Sequence, residues 1–349
     1  MAKKRGMGFG VIGCGGAGRA RTVGMSKDPA VKVVAGTDTV PANIDKLSEG
    51  LGYEVEAVVG ADGYKAVVDN PAVDAVGIFS PHSLHYAHAK YALTKGKHVL
   101  IEKPMVCGVG AAIETAKLAH KKKLAYLIHY QRHYEPKYIT ARELIRKGAI
   151  GEVQSFYVYM AQDWPAPSWR GDPKYSGGGQ INDSGSHYQD ILLWMTDLLP
   201  KSVKGHIDKI YRGKEERVEI NGSFSVELSN GAAGRLIIIG DYIRGMVDDV
   251  RIMGSKGNLL FTGGDMVLHP HGGQPQPVEP KKPKGYPASP GDNFVKLVTG
   301  RTKTNHVPAV FGARVALLTD TLLRSGKTGR RLSCASVLKQ AKCSLKDLA

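Results

Sequence analysis

The chain has few cysteines. There are four in 349 residues, at Cys14, Cys107, Cys334 and Cys343, and none has the close pairing of a zinc site. That excludes a cysteine-built metal centre and, at this length, a disulfide framework, so reduced thiols are expected. No apolar stretch reaches the ~18 positions a membrane helix needs. The opening Ala2-Lys3-Lys4-Arg5-Gly6-Met7 runs into a segment broken by glycines, which does not read as a signal peptide. A cytoplasmic protein is the expectation. Internal repeats, low-complexity tracts and a long basic stripe are also missing. Basic residues nevertheless exceed acidic ones, 48 against 32, for a formal net charge of +16. Lys121-Lys122-Lys123, Lys281-Lys282-Pro283-Lys284 and Arg330-Arg331 are short and scattered. They read as solvated surface, and no nucleic-acid partner is expected.

At about 150 residues per domain, 349 residues predict two domains. From Gly8 to Ile128, short β-rich runs (Gly8 to Ile12, Val31 to Gly36, Ala75 to Phe79, His98 to Ile101, Ala125 to His129) alternate with amphipathic segments such as Leu84 to Thr94 and Val109 to Lys121. That alternation predicts an α/β, doubly wound parallel sheet over residues 1–130. Lys137 to Lys147 reads as a bridging helix stopped at Gly148. Beyond Gly151 the apolar period changes to two, in Val153 to Tyr159, Val218 to Leu228, Ala232 to Ile239 and Val247 to Met253. Residues 131–349 are therefore expected to form an α+β domain with a large, mainly antiparallel sheet. Helices are expected over Gly179 to Met195 and Ala309 to Ser325, the latter packing back on the first domain, and a surface loop over His269 to Pro290.

Gly13-Cys14-Gly15-Gly16-Ala17-Gly18 directly follows the first strand, and Arg19 onward can continue as a helix. This is the dinucleotide fingerprint of a Rossmann-like domain. Gly13 permits the turn, Gly15 lets the backbone approach a pyrophosphate, and Gly18 allows the helix to pack closely. The helix N-terminus adds free N–H donors for phosphates. Asp38 ends the second strand, where a carboxylate binds the adenosine ribose. At about 4 Å it would repel a 2′-phosphate by ~1 kcal/mol per unit charge in water, and about four times that at an effective dielectric of 20. Thr39 and Val40 supply no compensating cation, so NAD is favoured over NADP. Cys14 reads as a small side chain filling the turn rather than a redox thiol.

Val99-Leu100-Ile101-Glu102-Lys103-Pro104 puts a charged pair at the end of a buried strand, and Pro104 restricts how Lys103 points. It is read as a cleft lysine or as a surface pair before a turn. In Gly177-Gly178-Gly179-Gln180-Ile181-Asn182-Asp183-Ser184-Gly185-Ser186-His187-Tyr188-Gln189-Asp190, a helix starting near the glycines would align Asp183, His187 and Asp190 on one face. The bland alternative is local hydrogen bonding with a core histidine. His82, His85 and His88 do not share one helix face and have no evident carboxylate partners, so no metal is expected.

These residues together resemble the Gfo/Idh/MocA oxidoreductases. The resemblance rests on the glycine fingerprint, Ser80-Pro81 with His85, Gly96-Lys97-His98-Val99, Glu102-Lys103-Pro104 and the Asp183-x-x-x-His187 segment after a glycine triplet. It extends to Thr304-Asn305 and the final helix. It implies catalytic roles for Lys103, Asp183 and His187, and a cofactor site of Gly13, Gly15, Gly16, Ala17, Gly18, Asp38, Ser80, His82, His85, Glu102 and Lys103. A homodimer or homotetramer built through the second domain's sheet is also implied. His82 departs from the family, which often has Asn there.

The expected reaction is hydride transfer between a nicotinamide and a secondary alcohol of a sugar or cyclitol. An imidazole, titrating near ~6.5, suits removal of the hydroxyl proton at neutral pH, which assigns the base to His187. Lys103 would stabilise the developing alkoxide, and Asp183 would orient the imidazole or substrate. Arg132, Trp164, Trp169 and Arg170 offer flat rings and polar donors suited to a pyranose or cyclitol. Interdomain packing of the tryptophans and a structural Arg170–Asp172 ion pair are the alternatives. Competing functions are an NAD-retaining glycoside hydrolase acting by transient oxidation, and a non-catalytic nucleotide-sensing module.

Overall fold

The computed structural model describes residues 6–262 and 265–348. The chain divides into two compact units. The first is the chain through Cys107 with Ala111–Gln131 and Pro287–Gly312; the second is Gly108–Gly110, Arg132–Tyr286 and the chain from Ala313 onward.

In the first unit, β1 (Met7–Ile12), β2 (Val31–Asp38), β3 (Glu56–Val59), β4 (Ala75–Ile78), β5 (His98–Ile101) and β6 (Tyr126–Ile128) form a parallel sheet in the order β3-β2-β1-β4-β5-β6. The intervening helices are α1 (Gly16–Ser26), α2 (Pro41–Leu51), α3 (Gly63–Asp69), α4 (His85–Thr94) and α5 (Val109–Lys121). All of β1 and β4 is buried, which is why these strands read as continuous apolar runs without alternation. The strand order reverses between β1 and β4, and a crevice opens at the carboxyl ends there. The helix Pro290–Val298 sets Phe294 edge-on to Phe9, with ring centroids 6.4 Å apart. The segment leading to Pro308 covers the outer edge of β6, through Ile128 N–H to Val307 O (3.2 Å) and Asn305 Nδ2 to Tyr126 O (3.0 Å). Patterning does not single out β3, because Glu56-Ala57-Val58-Val59 is a short edge strand largely in solvent.

In the second unit a nine-stranded sheet runs β16-β15-β14-β13-β7-β12-β11-β8-β17. Its strands are β7 (Val153–Asp163), β8 (Pro200–Asp208), β11 (Asn221–Leu228), β12 (Ala233–Ile239), β13 (Asp241–Gly254), β14 (Gly257–Thr262), β15 (Asp265–Pro270), β16 (Gln276–Pro277) and β17 (Leu332–Ser333), with a separate hairpin of β9 (Ile210–Tyr211) and β10 (Lys214–Glu215). β7 and β12 pair in parallel and the other neighbours antiparallel. The helices that follow α5 are α6 (Pro136–Arg146), α7 (Pro173–Ser176), α8 (Gly185–Thr196), α9 (the Pro290–Val298 helix of the first unit), α10 (Ala309–Thr328) and α11 (Cys334–Gln340). Phe156, Val158, Met160, Leu236, Ile238, Val250 and Ile252 are buried on one face of the sheet, each contributing about 1.5–3 kcal/mol. Tyr157 and Tyr159 point the other way, half-buried, with nearly parallel rings 6.5 Å apart.

Three expectations are corrected. The helix predicted over Gly179 to Met195 begins only at Gly185, and turns precede it. The Glu219 carboxylate takes the Gly179 N–H and the Glu219 carbonyl takes the Gln180 N–H (2.9 Å), which ties this turn segment to the distant chain just before β11. The strand predicted from Val247 starts at Asp241, with a register shift between Asp241 and Met246. The predicted loop from His269 begins inside β15 and contains β16.

Candidate functional site

The glycine turn is held by two close approaches. A Cβ on Gly18 would lie 2.0 Å from Gly13 O, and Gly13 itself has a φ of +91°. Gly15 differs: a Cβ there meets only the Asn43 amide at 4.0 Å, and one on Gly16 meets nothing. Open space therefore faces the start of α1, whose first turn carries neither a side-chain cap nor an acidic residue. Its exposed N–H groups and dipole suit a pyrophosphate. Asp38 accepts from Cys14 N (2.8 Å), Val40 N (2.9 Å) and Asn43 Nδ2 (3.1 Å), which binds the end of β2 to the turn after β1. Burial, with the Asp38 charge adding to it, pushes the Cys14 thiol up to about 12. It is a neutral filler of the turn.

The ends of β4 and β5 are joined by imidazoles. His85 places Nε2 2.8 Å from Ser80 O and Nδ1 2.8 Å from Pro104 O. A neutral ring has one N–H and donates to only one of them. Burial holds the His85 pKa below its usual value against those carbonyls and the Glu102 charge. The Ser80 hydroxyl bonds His88 Nδ1 at 2.9 Å. His85 is fully buried and braces the loops after β4 and β5. His82 is also buried, its ring edge-on to His85 at 5.8 Å.

Lys103 is half-buried beyond β5, before a cis Pro104. Glu102 accepts the Lys103 N–H at 3.3 Å, and its other oxygen lies 3.5 Å from Arg21 Nε and 3.8 Å from His129 Nδ1. Burial pushes the Glu102 carboxyl up, but His129, Arg21 and Lys103 together hold it below the ordinary carboxylate range. Burial also pulls the His129 imidazolium down, so near neutrality the compensating charge comes from Arg21 and Lys103. Sequence reading missed Arg21 and His129. Arg21 stands one helical turn past Gly18 and His129 one residue past β6, positions that open on the same strand ends.

In the second unit, a Cβ on Gly179 would lie 1.9 Å from Glu219 O, so only glycine fits. The turn it starts carries Asp183, whose backbone N–H bonds Gly179 O at 3.0 Å. Asp183 is buried, and its Oδ2 accepts from Trp164 Nε1 and Arg170 Nε, both at 3.0 Å. Every residue from Gly185 to Met195 is buried except His187, which is half-buried in the first turn of α8. Asp190, three residues on in the same helix, has a different environment. It is fully buried, 2.9 Å from His133 Nε2, and that ring stacks on Trp194 at 4.0 Å. The expected Asp183–His187–Asp190 stripe is altered accordingly: Asp183 lies in the turn before α8, outside the helix, and Asp190 is spent on His133.

The suggested substrate residues separate. Trp164 is buried among Ala166, Val218 and Ile220, all within the second unit, and spends its N–H on Asp183. Arg170 is paired with Asp183 and not with Asp172, which instead contacts Arg217 at 3.3 Å. Arg170 also lies over the half-buried Trp169, 4.4 Å from its ring centre. Arg132 is buried against Tyr188, 4.5 Å from its ring centre and bonded to its hydroxyl at 3.2 Å.

Residues 7–130 match the family described as "Oxidoreductase family, NAD-binding Rossmann fold", and residues 138–260 match the "GFO/IDH/MocA C-terminal domain". The chain is similar to an uncharacterised oxidoreductase of Synechocystis sp., 29% identical over 58% of each chain. It is also similar to the scyllo-inositol 2-dehydrogenase (NADP(+)) of Bacillus subtilis, 24% identical over 71% of this chain and 68% of that one. It thus spans less than two thirds of the first relative's length. In three dimensions it is similar to a levoglucosan dehydrogenase solved with NADH, with a TM-score of 0.80, 18% identity and coverage of 95% and 99%. No described helix is long and apolar enough to cross a membrane. A nucleotide cradle matched in one half and a mixed sheet matched in the other place this chain in the Gfo/Idh/MocA family of oxidoreductases.

Proposed function

We propose that this protein is an NAD-dependent dehydrogenase that transfers a hydride between the nicotinamide and a secondary alcohol of a sugar or cyclitol. The observation carrying this reading is that α8 buries every residue from Gly185 to Met195 except one imidazole, His187, in the first turn after the segment that carries the Arg170-paired Asp183. Gly13, Gly15, Gly16, Ala17 and Gly18 would hold the pyrophosphate, Asp38 the adenosine ribose, and Ser80, His82, Glu102 and Lys103 belong to the strand ends nearest the nicotinamide. When bound, the dinucleotide supplies the hydride acceptor. His187 takes the hydroxyl proton; its Nδ1 is buried, which leaves Nε2 as the basic atom. The Lys103 ammonium stabilises the alkoxide. Asp183 is a positioning carboxylate that sets the local charge for His187. Relatives named for inositol and xylose oxidation support the substrate class, and four free thiols support a cytoplasmic setting.

The test is a panel of monosaccharides, cyclitols, sugar acids and simple glycosides with NAD and NADP, following reduced cofactor and product together. Failure of every alcohol to yield reduced cofactor would sink the dehydrogenase reading; glycoside cleavage without net NADH would favour the hydrolase. In the same assay Asp38→Ser is expected to move the kcat/KM ratio from NAD toward NADP by about fivefold to 100-fold, because the charge repelling a 2′-phosphate is removed. An unchanged ratio would free Asp38 of that role.

The sheet face bearing Tyr157, Tyr159, Ile237 and Ile239, all half-buried, is proposed to close a dimer or tetramer. Sedimentation velocity at micromolar concentration is expected to give two or four chains per particle, and a monomer would contradict it.

A further inference from the structure

The second unit contains a cavity of about 790 Å³ that the proposed reaction does not use. Three separate elements deliver cations to its wall: Lys209 after β8, Arg217 before β11 and Lys327 near the end of α10. His206 joins them, and the backbone of Gly178 lines the opposite side. The three cations are exposed. Asp172 contacts Arg217 at 3.3 Å, and one further carboxylate, Glu219, forms part of the lining. Three formal positive charges therefore face two negative ones, and the excess favours an anion.

Glu219 is unlike the rim. It is 5% exposed, and its carboxylate accepts the Gly179 N–H and its own backbone N–H, two of the several hydrogen bonds a carboxylate can take. Burial pushes its carboxyl up, opposed by its own backbone N–H, by the Gly179 N–H and by the charges of Lys327 and Lys209, so these two lysines act on the same point from the rim. A cationic rim around a buried carboxyl acceptor matches a molecule with a negative group at one end and hydroxyls at the other. Ile207, Val218 and Leu323 supply apolar wall for a carbon skeleton.

We propose that this cavity binds a small anionic polyol, a sugar or polyol carrying a phosphate or carboxylate, with the anion on Lys209, Arg217 and Lys327 and a hydroxyl on Glu219. The site is separate from the proposed oxidation and does not rest on it. It does connect to the turn before α8: Glu219 holds Gly179 and Gln180, and Gly179 O holds the Asp183 N–H. A molecule hydrogen-bonded to Glu219 thus bears on the turn that carries Asp183.

The experiment is isothermal titration of the full chain at low salt with glucose 6-phosphate, gluconate, inorganic phosphate and glucose, repeated on K327A and on the triple variant K209A/R217A/K327A. Each removed cation is expected to weaken the charged sugars by about fivefold, and the triple change by on the order of 100-fold. Glucose should bind weakly in all three proteins. A tighter phosphate ester identifies a sugar phosphate as the occupant, and tighter gluconate a sugar acid. Affinity for charged sugars that is equal in the wild type and the triple variant would overturn the proposal by placing them elsewhere, for instance at the start of α1. So would glucose binding as tightly as its phosphate, or no binding of either charged sugar. The three side chains are exposed, so the variants are expected to keep the melting temperature of the unliganded wild type.

Discussion

Replacing His187 with alanine is expected to lower the single-turnover rate of hydride transfer by about 100- to 10,000-fold and to leave the dinucleotide dissociation constant unchanged. The range is what a positioned general base contributes, about 2.7–5.4 kcal/mol of barrier. Position argues for this result. The surrounding residues of α8 are spent on packing, whereas His187 is half-buried, so truncating it opens no large core cavity. Loss of activity can then be assigned to chemistry by showing an unchanged circular dichroism spectrum and melting temperature. Stopped-flow absorbance of the reduced cofactor gives the rate, and fluorescence titration gives the binding. A rate within threefold of wild type would remove His187 from the mechanism. Asp183→Ala is a poorer probe, because it strips partners from Arg170 and from the buried Trp164 N–H at once, and an unpaired buried donor costs about 1–3 kcal/mol of stability by itself.

Lys103→Met is expected to lower kcat by about 100- to 1,000-fold, the usual result of removing one fixed electrostatic stabiliser of a developing oxyanion. Methionine keeps the length and apolar stem of the side chain and removes only the charge. The neighbouring carboxylate survives this change, since Glu102 retains Arg21 at 3.5 Å and its bond from the residue-103 backbone N–H. The melting temperature should therefore fall by no more than a few degrees while steady-state turnover collapses. A kcat within threefold of wild type would show that the ammonium plays no part at the transition state, and a large loss of stability with parallel loss of binding would make Lys103 structural.

The parts of the molecule legible in the sequence are those whose cause is local. Buried parallel strands announce themselves as apolar runs, as in Val99 to Ile101, and the half-buried strand β7 as alternation from Phe156 to Met160. Gly13 and Gly18 are legible for the same reason: a positive φ and a contact across five residues leave glycine as the residue that fits. Where a distant partner intervened, reading failed. The turn before α8 was read as helix, and its tie to Glu219, 40 residues away from Gly179, leaves no mark in the local sequence. The brace that His85 makes is illegible for the same reason, because its partners Ser80 O and Pro104 O come from two different strand ends.

The sequence alone determined the alternation of strand and helix, the nucleotide turn with Asp38 after it, and the shift to a sheet-rich second half, because each follows from residue periodicity or backbone sterics over a few positions. Tertiary structure alone decided which charges are satisfied. Arg170 neutralises Asp183 instead of Asp172, Arg21 and His129 flank Glu102, and Asp190 belongs to His133. The physical reason is that a buried carboxylate must find a donor wherever folding brings one near, and side chains separated by many residues leave no periodic trace of that meeting in the chain.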